Sequence, residues 1–350
     1  MAVLQLAEFL QEGILNSTDS TIEAISKSID ERVVARYLEE HHGLEAFVGS
    51  LFSSLHTLSE QSYENKALTF GCILDTHSAG KGIASGFPAD LLVSKKYKAL
   101  SDGYQTAYHI SRNGNVIGFV DLGKFETTPL TAKHYYPEWA ERIARASRTG
   151  RCGIALSRQG EILVFDEGSL RFTYRYGRWQ YWNHSHLVNL LRDRAKAQRV
   201  SRKIRGRVVS SIYRAALDVS FRRSGGLFVI LRNRKLLRKL VQPGDAIGDQ
   251  GRAEVDVQFD SVVRENTIQS LPRSVVVELS SLDGALVIDN SGRIKAYGAV
   301  LQPAEAGELP RSEGSRTKAA IGASNYGLAV KVSSDGGIAI YHLGKPFMSM

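Results

Sequence analysis

Apolar positions recur at helical spacing through residues 1–60 and give way to short alternating runs beyond them. Leu4, Leu6, Phe9, Leu10 and Ile14 fit one helix face. Ile22, Ile25, Ile29, Val33 and Leu38 fit a second, with residues 17–19 supplying N-cap chemistry. Gly43 ends that helix, and a third piece follows over 44–58. The pattern predicts a small helical layer covering a sheet; a helix pair dedicated to a partner is the alternative.

From about Leu68 the chain reads as strands separated by Gly, Asn and Asp. Three segments, 107–124, 153–168 and 328–345, each predict strand, short polar turn and strand. Asn113-Gly114 and Asp335-Gly336 suit such turns, because left-handed backbone costs Gly nothing and Asn or Asp little. The likeness among the three is the generic hairpin pattern or, alternatively, the trace of two related α/β domains. A helix is expected near 137–147, around Trp139 and Ile143. Tyr174, Tyr176, Trp179, Tyr181 and Trp182 then predict an aromatic strand packing a domain edge; base stacking is the alternative.

Residues 187–216 form a long basic helical pattern with intermittent Leu187, Leu190, Leu191, Val208 and Ile212. After Gly225-Gly226 comes an apolar strand to Leu231, a helical stretch over 261–271, and a buried strand region from Ser274 with a polar interruption at 281–284. A Gly-rich basic turn then opens a helix at 313–324, and a final hairpin closes the pattern.

Composition narrows the classes. The 350 residues leave room for two domains, and 43% hydrophobic with 23% charged residues excludes wholesale disorder. No apolar run is long enough to span a bilayer, and residues 1–15 carry Glu8 and Glu12 without a basic leader, so a cytoplasmic chain with no membrane partner is expected. Cys72 and Cys152 form no CxxC pair and predict reduced thiols. Between Arg192 and Lys239 lie sixteen Lys and Arg residues, opposed only by Asp193 and Asp218, more positive charge than the whole chain's +9. A linker or interface helix with solvated arginines is the favoured reading. Nucleic-acid contact is the less favoured one, since no recognised binding motif accompanies the charge.

The chemistry concentrates in 224–345. Asp283 precedes Gly284-Ala285 at a strand edge, where a carboxylate beside phosphates would hold Mg2+ or Mn2+ or activate a hydroxyl. Gly314-Ser315-Arg316-Thr317-Lys318 places backbone N–H groups, two hydroxyls and two cations at a helix start, an arrangement that favours phosphate. Either half alone is ordinary, a turn or a helix N-terminus. Their joint occurrence in one α/β unit, with Gly298 and Leu301-Gln302-Pro303 between, is more specific.

In this order and spacing, "LDGALVIDNSGRIKAYGAVL", "GSRTKAAIGAS" and "VSSDGGIAIYH" resemble the diadenylate cyclase (DAC) family over residues 224–345. The resemblance implies that ATP is bound and that two molecules are joined into cyclic di-AMP, a second messenger, with release of two pyrophosphates. It implies that Asp283 assists the 3′-hydroxyl and holds the metal, with Asp335 as a further metal residue. Gly284 and Ala285 would let the nucleotide lie against backbone, Leu301 would line the adenine pocket, and Ser315, Arg316, Thr317, Lys318 and Ala319 would cradle the triphosphate. It also implies self-association, because two such domains must face each other. Departures from the family pattern stand at Leu282 (often His), at Arg316-Thr317-Lys318 (Arg-His-Arg) and at Ser334-Asp335 (paired Glu). They keep open a nucleotide-binding sensor without turnover.

The expected fold is α/β. A helical segment at 1–65 and an α/β sensor-like domain at 66–190 precede a basic linker helix at 191–222. A DAC-type domain at 223–350 follows, with a central mixed sheet flanked by helices. His41-His42 reads as solvated surface, since adjacent histidines on a helix do not face one metal. His184 and His186 would alternate on a strand, and Gly80-Lys81-Gly82 lacks phosphate-loop spacing.

Overall fold

The computed structural model describes residues 28–44, 47–63, 65–78, 100–127, 131, 133–250, 254–302 and 314–349. The glycine run at 80–82 and the first helix read at 4–14 lie outside them.

A short strand, β1 (Ser28–Ile29), leads into α1 (Glu31–His42). The Asp30 carboxylate caps the helix by accepting from the Arg32 N–H at 2.9 Å, and Gly43 ends it at φ 60°. Of the helix read through Ile22 to Leu38, Ile22 and Ile25 lie outside the described residues, Ile29 belongs to a strand, and a helix starts at Glu31, where Asp30 supplies the cap. α2 (Val48–Ser59) follows. Val34 and Leu38 of α1 and Leu51, Phe52 and Leu55 of α2 are buried on one face of a sheet, forming the helical layer.

That sheet has eight strands in the order β1-β10-β9-β8-β7-β4-β5-β6. Its members are β4 (Phe70–Asp75), β5 (Thr106–Ser111), β6 (Val116–Asp121), β7 (Arg151–Leu156), β8 (Ile162–Asp166), β9 (Ser169–Arg175) and β10 (Arg178–Tyr181). Only β4 and β5 pair in parallel. A minor pair, β2 (Ser62–Tyr63) and β3 (Lys66–Ala67), stands apart. Alternation along the strands divides the core. Cys72, Leu74, Ile154, Ile162 and Val164 face α1 and α2, while Ile73, Ala155, Leu163 and Phe165 face the opposite side. There they meet α3 (Glu141–Ala146), α4 (His184–Ala197) and α5 (Arg202–Arg222).

The second sheet has six strands, β13-β12-β11-β14-β15-β16. They are β11 (Gly226–Leu231), β12 (Ala285–Ile288), β13 (Ile294–Ala299), β14 (Gly327–Val332), β15 (Ile338–His342) and β16 (Lys345–Ser349), with β11 and β12 parallel and the rest antiparallel. Phe228, Ile230, Leu286 and Val330 turn toward α5 and α8 (Arg273–Ser281) and join the core of the first sheet. Leu227, Val229, Val287 and Ala329 turn the other way, under α9 (Ser315–Ser324). Short α6 (Leu237–Leu240) and α7 (Glu254–Arg264) complete the described α-helices. The fold is mixed α/β, with two mixed sheets flanked by helices and α5 between them.

Three expectations change. The basic stretch is two helices, broken where Arg199 takes φ 62°, and α5 is a core helix with Val208, Ile212, Tyr213 and residues 215–221 buried. The valines at 275–277 lie on α8, begun by Pro272 at its N-cap; burial of Val276, Val277, Leu279 and Ser280 on one face overrides the strand preference of Val. The helix read over 261–271 ends at Arg264, where Thr267 forms a bridge with Arg293 and a turn closed by its N–H to Ser270 Oγ at 2.8 Å.

Candidate functional site

The second sheet positions a cleft of about 420 Å3. Asp283, Gly284 and Leu301 line it from the sheet rim; Ser315, Arg316 and Ala319 line it from α9. Leu227, Ala299 and Val300 complete the walls.

Each wall follows from local sequence. Leu282 ends α8 in extended backbone and delivers Asp283 to the rim, exposed and without a hydrogen bond or ion pair among the described residues. Gly284 follows at φ 125°, and a Cβ there would stand 2.4 Å from the Gly298 carbonyl carbon. The close backbone approach where β12 begins to pair with β13 thus demands glycine before any ligand is considered. Val300 and Leu301 are held in place, the Val300 N–H donating to the side-chain Oδ2 of Asp245 at 2.7 Å and Leu301 forming a backbone bridge with Val241. Val300 is 51% exposed and Leu282 44%, so the rim offers apolar surface beside a carboxylate.

Gly314 occupies the N-cap of α9 and provides no side-chain cap, leaving the first-turn N–H groups open toward the cleft. Arg316 packs across Gly225, where a Cβ would stand 2.5 Å from Nη1, and has no ion pair or hydrogen bond among the described residues. A placed cation beside open N–H groups is suited to phosphate.

Not every expected residue joins the cleft. Ala285 is buried in β12. Thr317 is buried, and its hydroxyl accepts from Lys331 Nζ at 2.6 Å. Lys318 lies one step further round the helix, outside the lining. Asp335 is likewise not brought into it. Its Oδ1 accepts from Ser333 Oγ and from the Gly337 N–H at 3.1 Å, bonds that hold its carboxyl below the ordinary range. Lys331 was missed: it pairs in register with Leu227, a cleft residue, and stands behind the start of α9. Its signal was a lone lysine inside the apolar run LAVKV.

The Ser333–Gly337 turn is clasped from the first sheet. Tyr176 donates its hydroxyl to the Asp335 carbonyl. Buried Arg175 donates to Glu161 Oε1 at 2.8 Å, to Ser220 Oγ at 3.1 Å and to the Ser220 carbonyl at 3.2 Å, and Ser220 Oγ donates to the Gly336 carbonyl at 2.5 Å. The same strand end touches the cleft, since Val332 pairs with Gly226 and Gly225 abuts Arg316.

Other candidates resolve differently. His184 begins a helix, not a strand, and is buried between Tyr213 Oη at 2.8 Å and the Leu170 carbonyl at 2.7 Å; burial pushes its pKa down to about 3. Trp179 is buried and donates to Glu31 Oε2 at 2.9 Å, an edge-packing aromatic. Much of the basic segment is engaged within the chain: Arg214 binds the Thr131 and His134 carbonyls, Arg222 binds Glu278, Arg223 binds Glu161, and Arg238 binds Asp249. Cys72 and Cys152 are free thiols in the core, both pushed up by burial. No helix among the described residues is long and apolar enough to cross a membrane.

Residues 213–345 match the DAC family, described as DisA bacterial checkpoint controller nucleotide-binding. No curated protein matches the chain. Among solved structures, it is similar to a hypothetical membrane spanning protein from Bacillus cereus at 22% identity, covering 48% of this chain and 75% of that one, with a TM-score of 0.31. It is also similar to a double cysteine mutant of DacA from Staphylococcus aureus at 21% identity, covering 41% and 87%, with a TM-score of 0.27. Overlaps this slight carry no argument. The family match covers β11 to β15 of the second sheet, the cleft and the C-terminal half of α5.

Proposed function

We propose, from a chain that carries a DAC-family nucleotide-binding domain at residues 213–345, that this domain is a diadenylate cyclase acting on ATP. The observation that carries the reading is the convergence of Asp283, Gly284, Leu301, Ser315, Arg316 and Ala319, from three separate segments, on one cleft. Leu301 and Val300 offer apolar surface for a purine. The α9 N–H groups, Ser315 and Arg316 receive the triphosphate. Asp283 accepts the proton of a ribose 3′-hydroxyl, whose oxygen attacks the α-phosphorus of a second ATP. The new bond is a phosphodiester, the bond broken joins the α-phosphorus to the bridging oxygen, and pyrophosphate leaves. Repeating the step closes the ring, so two ATP give one cyclic di-AMP and two pyrophosphates.

One domain holds one ATP in this scheme, so the active form is a self-associated pair with facing clefts. The catalysis is positioning and charge neutralisation. The residues fit Mg2+ or Mn2+: Asp283 is exposed with no partner among the described residues, and such ions are held by one or two carboxylates plus substrate phosphates. A bound ion would neutralise charge building on the phosphates. Asp335, already committed to its own turn, fits that role less well. The first sheet, with residues 66–190 at its centre, would be the regulatory part, acting through the clasped turn.

A second reading, a nucleotide-binding sensor without turnover, is favoured by that commitment of Asp335 and by the bond that takes up Thr317. Incubation with ATP and Mg2+ or Mn2+, with products read by mass spectrometry, separates the two. Cyclic di-AMP from the parent supports the cyclase. Bound but unchanged ATP with either ion favours the sensor.

A further inference from the structure

Across the first sheet from the cleft, the C-terminal end of α1 meets the end of β8. Asp166 closes β8 and is 3% exposed. Its Oδ2 accepts from the Tyr37 hydroxyl at 2.9 Å. Its Oδ1 stands 3.3 Å from His42 Nε2. Both of those atoms are buried, and neither has a hydrogen bond among the described residues. The His42 side chain is 6% exposed. His41, the preceding residue, is exposed; its ring stacks on Tyr37 with centroids 5.0 Å apart and stands edge-on to His42. One ligand atom from each of His41, His42 and Asp166 lies within 4.8 Å of the other two.

The buried carboxylate oxygen and the buried imidazole nitrogen pair at 3.3 Å without meeting hydrogen-bond geometry, so neither has its hydrogen-bonding capacity filled. Their separation is that of two ligands on one ion. Bonds of about 2.0–2.1 Å in tetrahedral geometry put neighbouring ligand atoms about 3.3 Å apart. The negative end of the α1 dipole adds a field that favours a cation. Tyr37 braces the site twice, by its bond to Asp166 and its stack on His41, as outer groups do around metal ligands.

We propose that His41, His42 and Asp166 form a site for one divalent first-row transition ion of the Zn2+ type, closed by a small inward turn of exposed His41 and completed by water. Nitrogen, nitrogen and carboxylate donors suit that class better than Mg2+ or Ca2+, which take oxygen. The ion ties the helical layer to the sheet. The site is separate from the nucleotide cleft and stands whether or not that domain turns over ATP.

Full-length protein without a polyhistidine tag, stripped with chelator, is titrated with Co2+ and then with Zn2+. One Co2+ per chain is expected, with the visible absorption of four-coordinate Co2+, bleached by Zn2+ and retained in Asp283→Ala. His41→Ala, at an exposed position, keeps the melting temperature of the metal-free parent and weakens binding at least about tenfold. Asp166→Asn removes the absorption. Absence of saturable binding at one ion per chain overturns the proposal, and so does binding at parent affinity in His41→Ala.

Discussion

Replacing Arg175 with methionine removes the guanidinium that joins the two sheets. Its side chain is 3% exposed and that of Glu161 is 2%. Removing one partner of a buried ion pair costs about 3–5 kcal/mol, because the other charge stays buried and uncompensated. Arg223 remains 2.9 Å from Glu161 Oε1 and keeps part of the compensation, which points to the lower end, about 3 kcal/mol. Methionine preserves most of the apolar contact with Phe221, over whose ring the guanidinium sits at 4.6 Å. Adding Glu161→Met removes the stranded charge, so the double variant should return to within about 1 kcal/mol of the parent. The assay is urea unfolding at neutral pH, followed by fluorescence of the buried Trp179 and Trp182. Hydrogen exchange at residues 333–337 reads the same change locally, and faster exchange there is expected because the turn loses its hold through Ser220 and Gly336. A single variant within about 0.5 kcal/mol of the parent would refute the reasoning, as would a double variant as costly as two independent losses.

Three further outcomes follow from single positions. Gly284→Ala places a Cβ 2.4 Å from backbone at φ 125°, so it should cost more than about 3 kcal/mol in urea unfolding; a loss under about 1 kcal/mol would contradict the close approach of Gly284 to Gly298. Asp283→Ala, at an exposed residue with no partner among the described residues, should leave stability within about 0.5 kcal/mol while removing any nucleotide product. His184 has a folded pKa lowered to about 3, so its stabilising effect is full above the unfolded value of about 6.5 and is lost as pH falls from there toward 3, by about 1.4 kcal/mol per pH unit. Urea midpoints of the parent and His184→Phe from pH 4.5 to 7 should converge as the pH falls; equal slopes would contradict the buried neutral imidazole.

The hairpins and the rim of the cleft were legible because their signals are local. Asn113-Gly114 and Asp335-Gly336 announce turns by backbone chemistry alone, and each glycine takes positive φ. The Asp283 and Gly314–Lys318 motifs could be placed on a strand edge and a helix start from neighbouring residues. What failed depends on distant partners. Val275, Val276 and Val277 look like a strand until α5 gives them a helical face to bury. The histidine pair reads as solvated surface, and His41 is exposed, but His42 is buried against a carboxylate 124 residues away in sequence. Thr317 and Lys331 were invisible as a pair because only the packing of α9 on β14 brings them together.

The central claim is that this domain joins two nucleotides. Parent protein and Asp283→Ala are given equal parts of ordinary and heavy-isotope-labelled ATP with Mn2+, and the products are weighed by mass spectrometry. The account predicts light, mixed and heavy cyclic di-AMP, with two pyrophosphates for each, from the parent and none from the variant. Intact ATP with no mixed-mass dinucleotide from the parent, or the same product from Asp283→Ala, would contradict it.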